Sequence, residues 1–301
     1  MPPIFVSFPV SFLLSILVSF VSVLGCSRAD APREHVEVPQ RIASRTILSD
    51  EILWELGDAV QARVVGLSPM VDDPRYSGVA GRWPASVPRL GRNPEELLAS
   101  GAQLVILASF SDAEYRAAIA DHAQLLVLED FSGFAAYLAN LDRIGAAVGA
   151  DPDTITALHE RFDRRRAAIE FGRPPLAQRP SVVAWDFGHV PGKQTSFDDA
   201  ATTAGFRNLA AEHDVVGHQR LDVEQLIAWD PQWLVIGCGE DSCAQALTNL
   251  AEQPGFDHLR ALRDDHVITI AAPWLASIGE GMLELAAQMQ AARQAGVASH
   301  D

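Results

Sequence analysis

Positive charge is in short supply in this chain. Only 23 Lys and Arg stand against 39 Asp and Glu, a formal net charge of -16, and such a surface is a poor partner for a phosphate backbone, whose binding requires clustered cations to displace counterions. Nucleic acid is therefore not an expected partner. Cysteine is scarcer still, at three in 301 residues, so the fold has to rest on a buried apolar core, which a hydrophobic content of 48% can fill. The common catalytic signatures are also missing: there is no Gly-x-Ser-x-Gly elbow, no Gly-x-x-x-x-Gly-Lys phosphate loop, no His-Glu-x-x-His, and no Gly-x-Gly-x-x-Gly after the first strand. Asp72-Asp73 and Asp198-Asp199 are adjacent carboxylates, which cannot face one substrate from a strand and rarely do so from a helix, so they are expected at a turn and a helix N-terminus. No catalytic residue is assigned, and the chain is expected not to be an enzyme.

What is present begins with Ile4 to Leu24, a segment almost wholly apolar or Ser that stops at Gly25-Cys26, after which the composition turns polar. This is the pattern of an export signal. Val23-Leu24-Gly25-Cys26 resembles the lipobox of bacterial lipoproteins, which implies a signal peptide over 1–25, a lipidated Cys26 and a tether over 26–38. The alternative is an uncleaved signal anchor, since the run is about long enough to span a bilayer and no Lys or Arg precedes Arg28. Cys238 and Cys243 lie five residues apart, a spacing that admits a small-loop disulfide in an oxidising compartment, two free thiols, or half of a metal site lacking two ligands. No metal site is assigned.

From Arg41 onward, short apolar runs alternate with amphipathic stretches, the pattern of parallel sheets covered by helices. The expected class is α/β. Strands are predicted at 41–44, 63–66, 104–108, 125–128, 181–185, 233–237 and 267–270. Helices are predicted to start at Ser111 and Ser196, each with a carboxylate three residues on. Asp151-Pro152 starts a longer helix, striped by Ile155, Leu158, Phe162 and Ile169 and ending near Gly172-Arg-Pro-Pro. Its position in the middle of the mature chain marks it as a connector over 151–172, and the run Arg161 to Arg166 reads as its solvated face.

An internal repeat is the most informative feature. Glu95-Glu-Leu-Leu-Ala-Ser-Gly-Ala-Gln-Leu-Val-Ile106 recurs as Glu224-Gln-Leu-Ile-Ala-Trp-Asp-Pro-Gln-Trp-Leu-Val235. Each copy encodes a short helix opening on a carboxylate, where the helix dipole favours negative charge, followed by a buried strand. Two lobes built alike would carry Glu95 and Glu224 at equivalent points.

Arg41-Ile-Ala-Ser44 through Gly57, Val64-Val-Gly66 with Asp72-Asp-Pro74, Asn93-Pro-Glu95, Ala204-Gly205 through Leu209, Leu221-Asp-Val-Glu224 and Gly279-Glu-Gly281 to Ala287 follow one another in an order and spacing that resembles the periplasmic binding proteins for siderophores, haem and cobalamin. That resemblance implies two Rossmann-like lobes with parallel sheets, over 39–150 and 173–293, joined by one long helix, with a tail over 294–301. It implies a substrate-binding lipoprotein of an ABC importer, on the extracytoplasmic face, monomeric and without a cofactor of its own. Its cargo would be a metal chelate, a ferric siderophore foremost, or cobalamin or haem. Glu95 and Glu224 would dock on the two permease subunits. The ligand would lie between the lobes, near Arg45, Thr46, Tyr76, Arg82, Trp83 and Phe110 of the first lobe and Trp185, Phe187, His189, Lys193 and Trp274 of the second. There, aromatics offer apolar area and cations hold carboxylate, phosphate or catecholate oxygens. His189 and Tyr76 are candidate metal-coordinating side chains of the cargo, against the plainer role of surface residues. The chain departs from the family where Arg45-Thr-Ile-Leu48 replaces a Ser-Pro-Ser type turn, and over 77–90. A lipoprotein that senses a ligand without transporting it is the alternative, and the Glu95 and Glu224 pair, which a sensor does not require, argues against it.

Overall fold

Consecutive apolar residues buried on both faces form parallel strands flanked by helices, and the computed structural model, which describes residues 37–186, 188–239 and 242–298, contains two such sheets. The first lobe runs β1 (Ile42–Ser44), α1 (Ile47–Glu55), α2 (Asp58–Gln61), β2 (Val64–Gly66), α3 (Pro94–Ala99), β3 (Leu104–Ala108), α4 (Ala113–Ala120), β4 (Gln124–Leu128) and α5 (Phe134–Ala147). The connector is α6 (Pro152–Glu170). The second lobe runs β5 (Ser181–Trp185), β6 (His189–Pro191), α7 (Ser196–Thr203), β7 (Arg207–Asn208), α8 (Leu209–Glu212), β8 (His218–Arg220), α9 (Val223–Trp229), β9 (Trp233–Cys238), α10 (Cys243–Ala251), α11 (Arg260–Arg263), β10 (Val267–Ala271), α12 (Ala272–Leu275) and α13 (Gly281–Ala298).

The sheet orders are β2-β1-β3-β4 and β7-β5-β9-β10, every pairing parallel. The two lobes thus share one topology. Within it the repeated units α3-β3 and α9-β9 occupy the same place, as the duplicated sequence predicts.

Alternation along each central strand sorts its side chains between two layers. Ile42, Leu104, Ile106, Val182, Ala184 and Val235 face a single apolar cluster that runs through both lobes on the connector side and takes in Phe162 of α6. Ala43, Val105 and Leu107 face a second cluster on the outer side of the first lobe, and Val183, Trp185, Leu234 and Ile236 a third on the outer side of the second. The stripe expected on the connector packs inward: Leu158, Phe162 and Ile169 are buried and Ile155 abuts the core. Phe162 contacts Phe134 and Tyr137 of α5 edge-on and tilted, both at 5.3 Å between ring centroids.

Several expected boundaries shift. Asp112, not Ser111, caps α4, its carboxylate accepting the Tyr115 amide at 2.9 Å. Thr195, not Ser196, caps α7, and its hydroxyl also donates to the Gly192 carbonyl at 2.7 Å. The last helix reaches Ala298, beyond the expected lobe limit at 293. The antiparallel pair β6-β8 and the two-residue β7 have no apolar alternation to announce them. The expected signal peptide over 1–25 and the lipidation site Cys26 lie outside the described residues, as do most of the tether and Phe187. Among the described residues no helix is long and apolar enough to cross a membrane.

Candidate functional site

The C-terminal ends of β1 and β3 open into a cavity of about 780 Å³ lined by Arg45, Arg92, Phe110, Asp112, Glu114 and Tyr115. Arg45 is fixed there because its Nη1 donates to the Leu90 and Gly91 carbonyls, and its guanidinium lies 4.8 Å over the Tyr115 ring. The Tyr115 hydroxyl is buried and has no hydrogen-bond partner among the described residues. Burial raises its pKa above the usual phenol value, with Arg45 acting the other way, so it remains a neutral donor. Arg92 makes no hydrogen bond or ion pair among the described residues. Phe110 is 79% exposed and leans on Phe131 at 5.5 Å. Two cations, two carboxylates, a hydroxyl without a partner and an uncovered ring thus line one cavity.

The matching strand ends of the second lobe, β5 and β9, carry a smaller cavity of about 360 Å³ of different chemistry. Trp185, Asp186, Gly239, Ser242, Gln245 and Asn249 line it, and among the described residues no cation does. A Cys238–Cys243 disulfide ties the end of β9 to the start of α10 at its rim, and Ser242 caps α10 by accepting the Gln245 amide at 3.0 Å. Trp185 is mostly core, packed edge-on against Phe256.

The remaining candidates scatter. Thr46 is the N-cap of α1, accepting the Ser49 amide at 3.0 Å. Trp83 is only 4% exposed and packs edge-on against Trp54, so it is a core residue and not a cleft wall. Tyr76 is exposed beneath Arg75, whose guanidinium is held by Asp73, and Asp72 pairs with Arg89, which makes the Asp72-Asp73 pair a structural turn. Lys193 is paired with Asp214 at 2.6 Å on the surface. His189 stands in β6 opposite Arg220. Nearby His218 is held below the usual imidazole value by burial, against the pull of Asp186 and with a smaller push from His189. Among the described residues no group of three His, Cys, Asp or Glu could hold a metal ion.

Arg82 and Trp274 meet instead between the lobes, around a cavity of about 320 Å³ beside the connector. Here the arginine run is more than a solvated face. Arg161 donates to Glu55 of the first lobe at 2.6 Å and to Glu280 of the second, and Arg165 donates to Glu284 at 2.6 Å. Arg164 and Arg166 make i,i+4 pairs along α6, and Arg166 also lies over the Phe134 ring at 5.8 Å. These interlobe pairs form because α6 runs beside the C-terminal end of α1 and the start of α13, a proximity that sequence spacing does not encode.

Glu95 and Glu224 are each the second residue of their helices, α3 and α9, and both are exposed. Neither enters an ion pair among the described residues. Of the residues expected between the lobes, Arg45 and Phe110 share the first-lobe cavity with two that were not expected, Arg92, which precedes a helix, and Tyr115, which lies inside one. The signal available for Arg92 was its position directly before the Asn93-Pro94 helix start; Tyr115 had none beyond its aromatic ring.

A solved structure described as a possible iron-binding, periplasmic solute-binding protein from Staphylococcus epidermidis superposes with a TM-score of 0.69 at 16% identity, over 85% of this chain and 99% of that one. A periplasmic heme-binding protein from Pseudomonas aeruginosa gives 0.64 at 25% identity, over 84% and 92%. A protein of an Fe3+-hydroxamate transport system from Saccharomonospora viridis gives 0.65 at 17% identity, over 85% and 93%. No curated protein sequence matches. The sequence model of the periplasmic binding protein family matches residues 48–273, three quarters of the chain and most of both lobes, and the chain belongs to that family.

Proposed function

We propose that this chain is the solute-binding lipoprotein of an ABC importer, anchored through Cys26 on the extracytoplasmic face, and that it delivers an anionic metal chelate to a permease dimer. A ferric siderophore is the foremost cargo, with haem and cobalamin as the other members of the class. The first-lobe cavity carries this reading: besides Asp112, which caps α4, and Glu114, it presents Arg45, Arg92, a buried hydroxyl and an uncovered Phe110, groups that can hold acidic oxygens and an apolar framework together. The unpaired Glu95 and Glu224 at equivalent points of two similar lobes support docking on a two-fold permease. Exposed ion pairs contribute about 0–1 kcal/mol each, so such contacts set register and encounter rate.

The test is a titration of the chain starting at Ser27 against ferric hydroxamate and catecholate siderophores, haem and cobalamin, followed by tryptophan fluorescence. Saturable binding of one class with Kd below about 1 µM is the expected result. Failure of every chelate to bind would refute the chelate assignment.

A further inference from the structure

Glu51 of α1 lies where the two lobes meet. Its Oε1 accepts the Gly78 amide of the first lobe at 2.8 Å. Its Oε2 presses on the backbone of Gly279 in the second lobe, so closely that a Cβ there would stand 2.3 Å away. Trp274 of the second lobe completes the contact, its ring wedged between Gly78 and Gly281, where added Cβ atoms would lie 3.4 and 2.8 Å from it.

No cation is paired with this carboxyl among the described residues. Arg82 attracts it from the 77–82 loop without a hydrogen bond, while Arg161 and Arg165 of α6 are engaged with Glu55, Glu280 and Glu284. The other groups facing it are Asp50 and Glu55 on its own helix, Tyr137 of α5, and Glu280 and Glu284 at the start of the second lobe's last helix. Charge on Glu51 is thus opposed by burial and by an anionic majority.

We propose that Glu51 makes lobe closure proton-linked, so that apposing α1 to Trp274 and Gly279 takes up a proton on this carboxyl and the lobes close more readily as the medium acidifies. In the closed arrangement burial drives its pKa from 4.5 up to about 7, with Asp50 and Glu55 adding to the rise and the Gly78 amide and Arg82 opposing it. Separating the lobes admits water to Oε2 and returns the group toward the ordinary carboxylate range. The closed form therefore holds more protons between pH 4.5 and about 7, and closure weakens as pH rises through that window. Below it both arrangements are protonated and the linkage vanishes. The inference is independent of which solute binds.

Spin labels at A118C on α4 and T248C on α10, in the cargo-free chain starting at Ser27, report lobe separation by pulsed dipolar distance measurement from pH 5 to 8. The short-distance population of the wild type should grow as pH falls, by at most about tenfold per pH unit for one linked proton. E51Q, which carries the neutral form permanently, should be closed and insensitive to pH, while D50N, which removes one of the charges adding to the rise, should keep a pH response with its midpoint moved to lower pH. A wild-type distance that does not move with pH, an E51Q chain that still responds to it, or an E51Q chain locked open would each overturn the proposal.

Discussion

Asp199 of the second lobe caps a helix of the first: its Oδ2 accepts the amide of Phe134, the first residue of α5, at 2.8 Å. The N-cap position of α5 is Gly133, at φ 139° and without a side chain to do this locally. A Cβ on Gly133 would fall 2.3 Å from that carboxylate oxygen, so the residue is small because the other lobe arrives there. Asp199→Ala should cost about 1 kcal/mol, as for loss of a local cap, and should speed amide exchange over 133–137 while leaving α4 protected. Equal exchange in the two proteins would show that the bond does not hold the lobes.

The cap, the Arg161 bridge and the continuous connector all lie on one side of the molecule and share one apolar cluster. Ligand binding should therefore produce a modest closure, with a small change in radius of gyration by X-ray scattering, because a packed helix resists the large hinge motions that loop linkers allow. A large compaction on binding would contradict this.

Tyr115→Phe separates recognition from folding. Its hydroxyl has no partner to lose, so stability in urea should stay within about 0.5 kcal/mol. Affinity for the chelate should fall about fivefold, the equivalent of one hydrogen bond of about 1 kcal/mol. Unchanged affinity would remove Tyr115 from the site.

Charge reversal at Glu95 and Glu224 together should leave chelate affinity in solution intact and impair uptake in cells. Each is exposed and distant in role from the packed core, so the fold should be unaffected. Normal uptake by the double reversal would sink the docking assignment.

Glu51 also sets a pH dependence of stability. Its folded-state pKa is raised from 4.5 to about 7, so below pH 4.5 it is protonated in both folded and unfolded chains and costs nothing. As pH rises from 4.5 to about 7 the unfolded chain gives up this proton before the folded one, so stability falls across that window and levels off once the folded chain also carries the buried charge. Glu51→Gln should match the wild type at pH 4.5 and exceed it at pH 8 by an amount on the order of 1–3 kcal/mol, measured by urea denaturation at each pH.

The sequence alone determined the elements that depend on local chemistry. Apolar runs such as Leu104–Ala108 and Ser181–Trp185 became strands with those bounds, Asp151-Pro152 started the connector, and the repeat around Glu95 and Glu224 foretold two lobes of one topology. Tertiary structure decided what depends on distance through space. It turned Arg161 from a solvated residue into a bridge between lobes, gave Asp199 to a helix 65 residues away, sank Trp83 into the core, and gathered Arg45, Arg92 and Tyr115 around one cavity. Burial patterns repeat every two or 3.6 residues and so are written in the chain, whereas an ion pair or a cavity forms wherever two remote backbones are brought within a few ångströms, and only the packing of the lobes sets that.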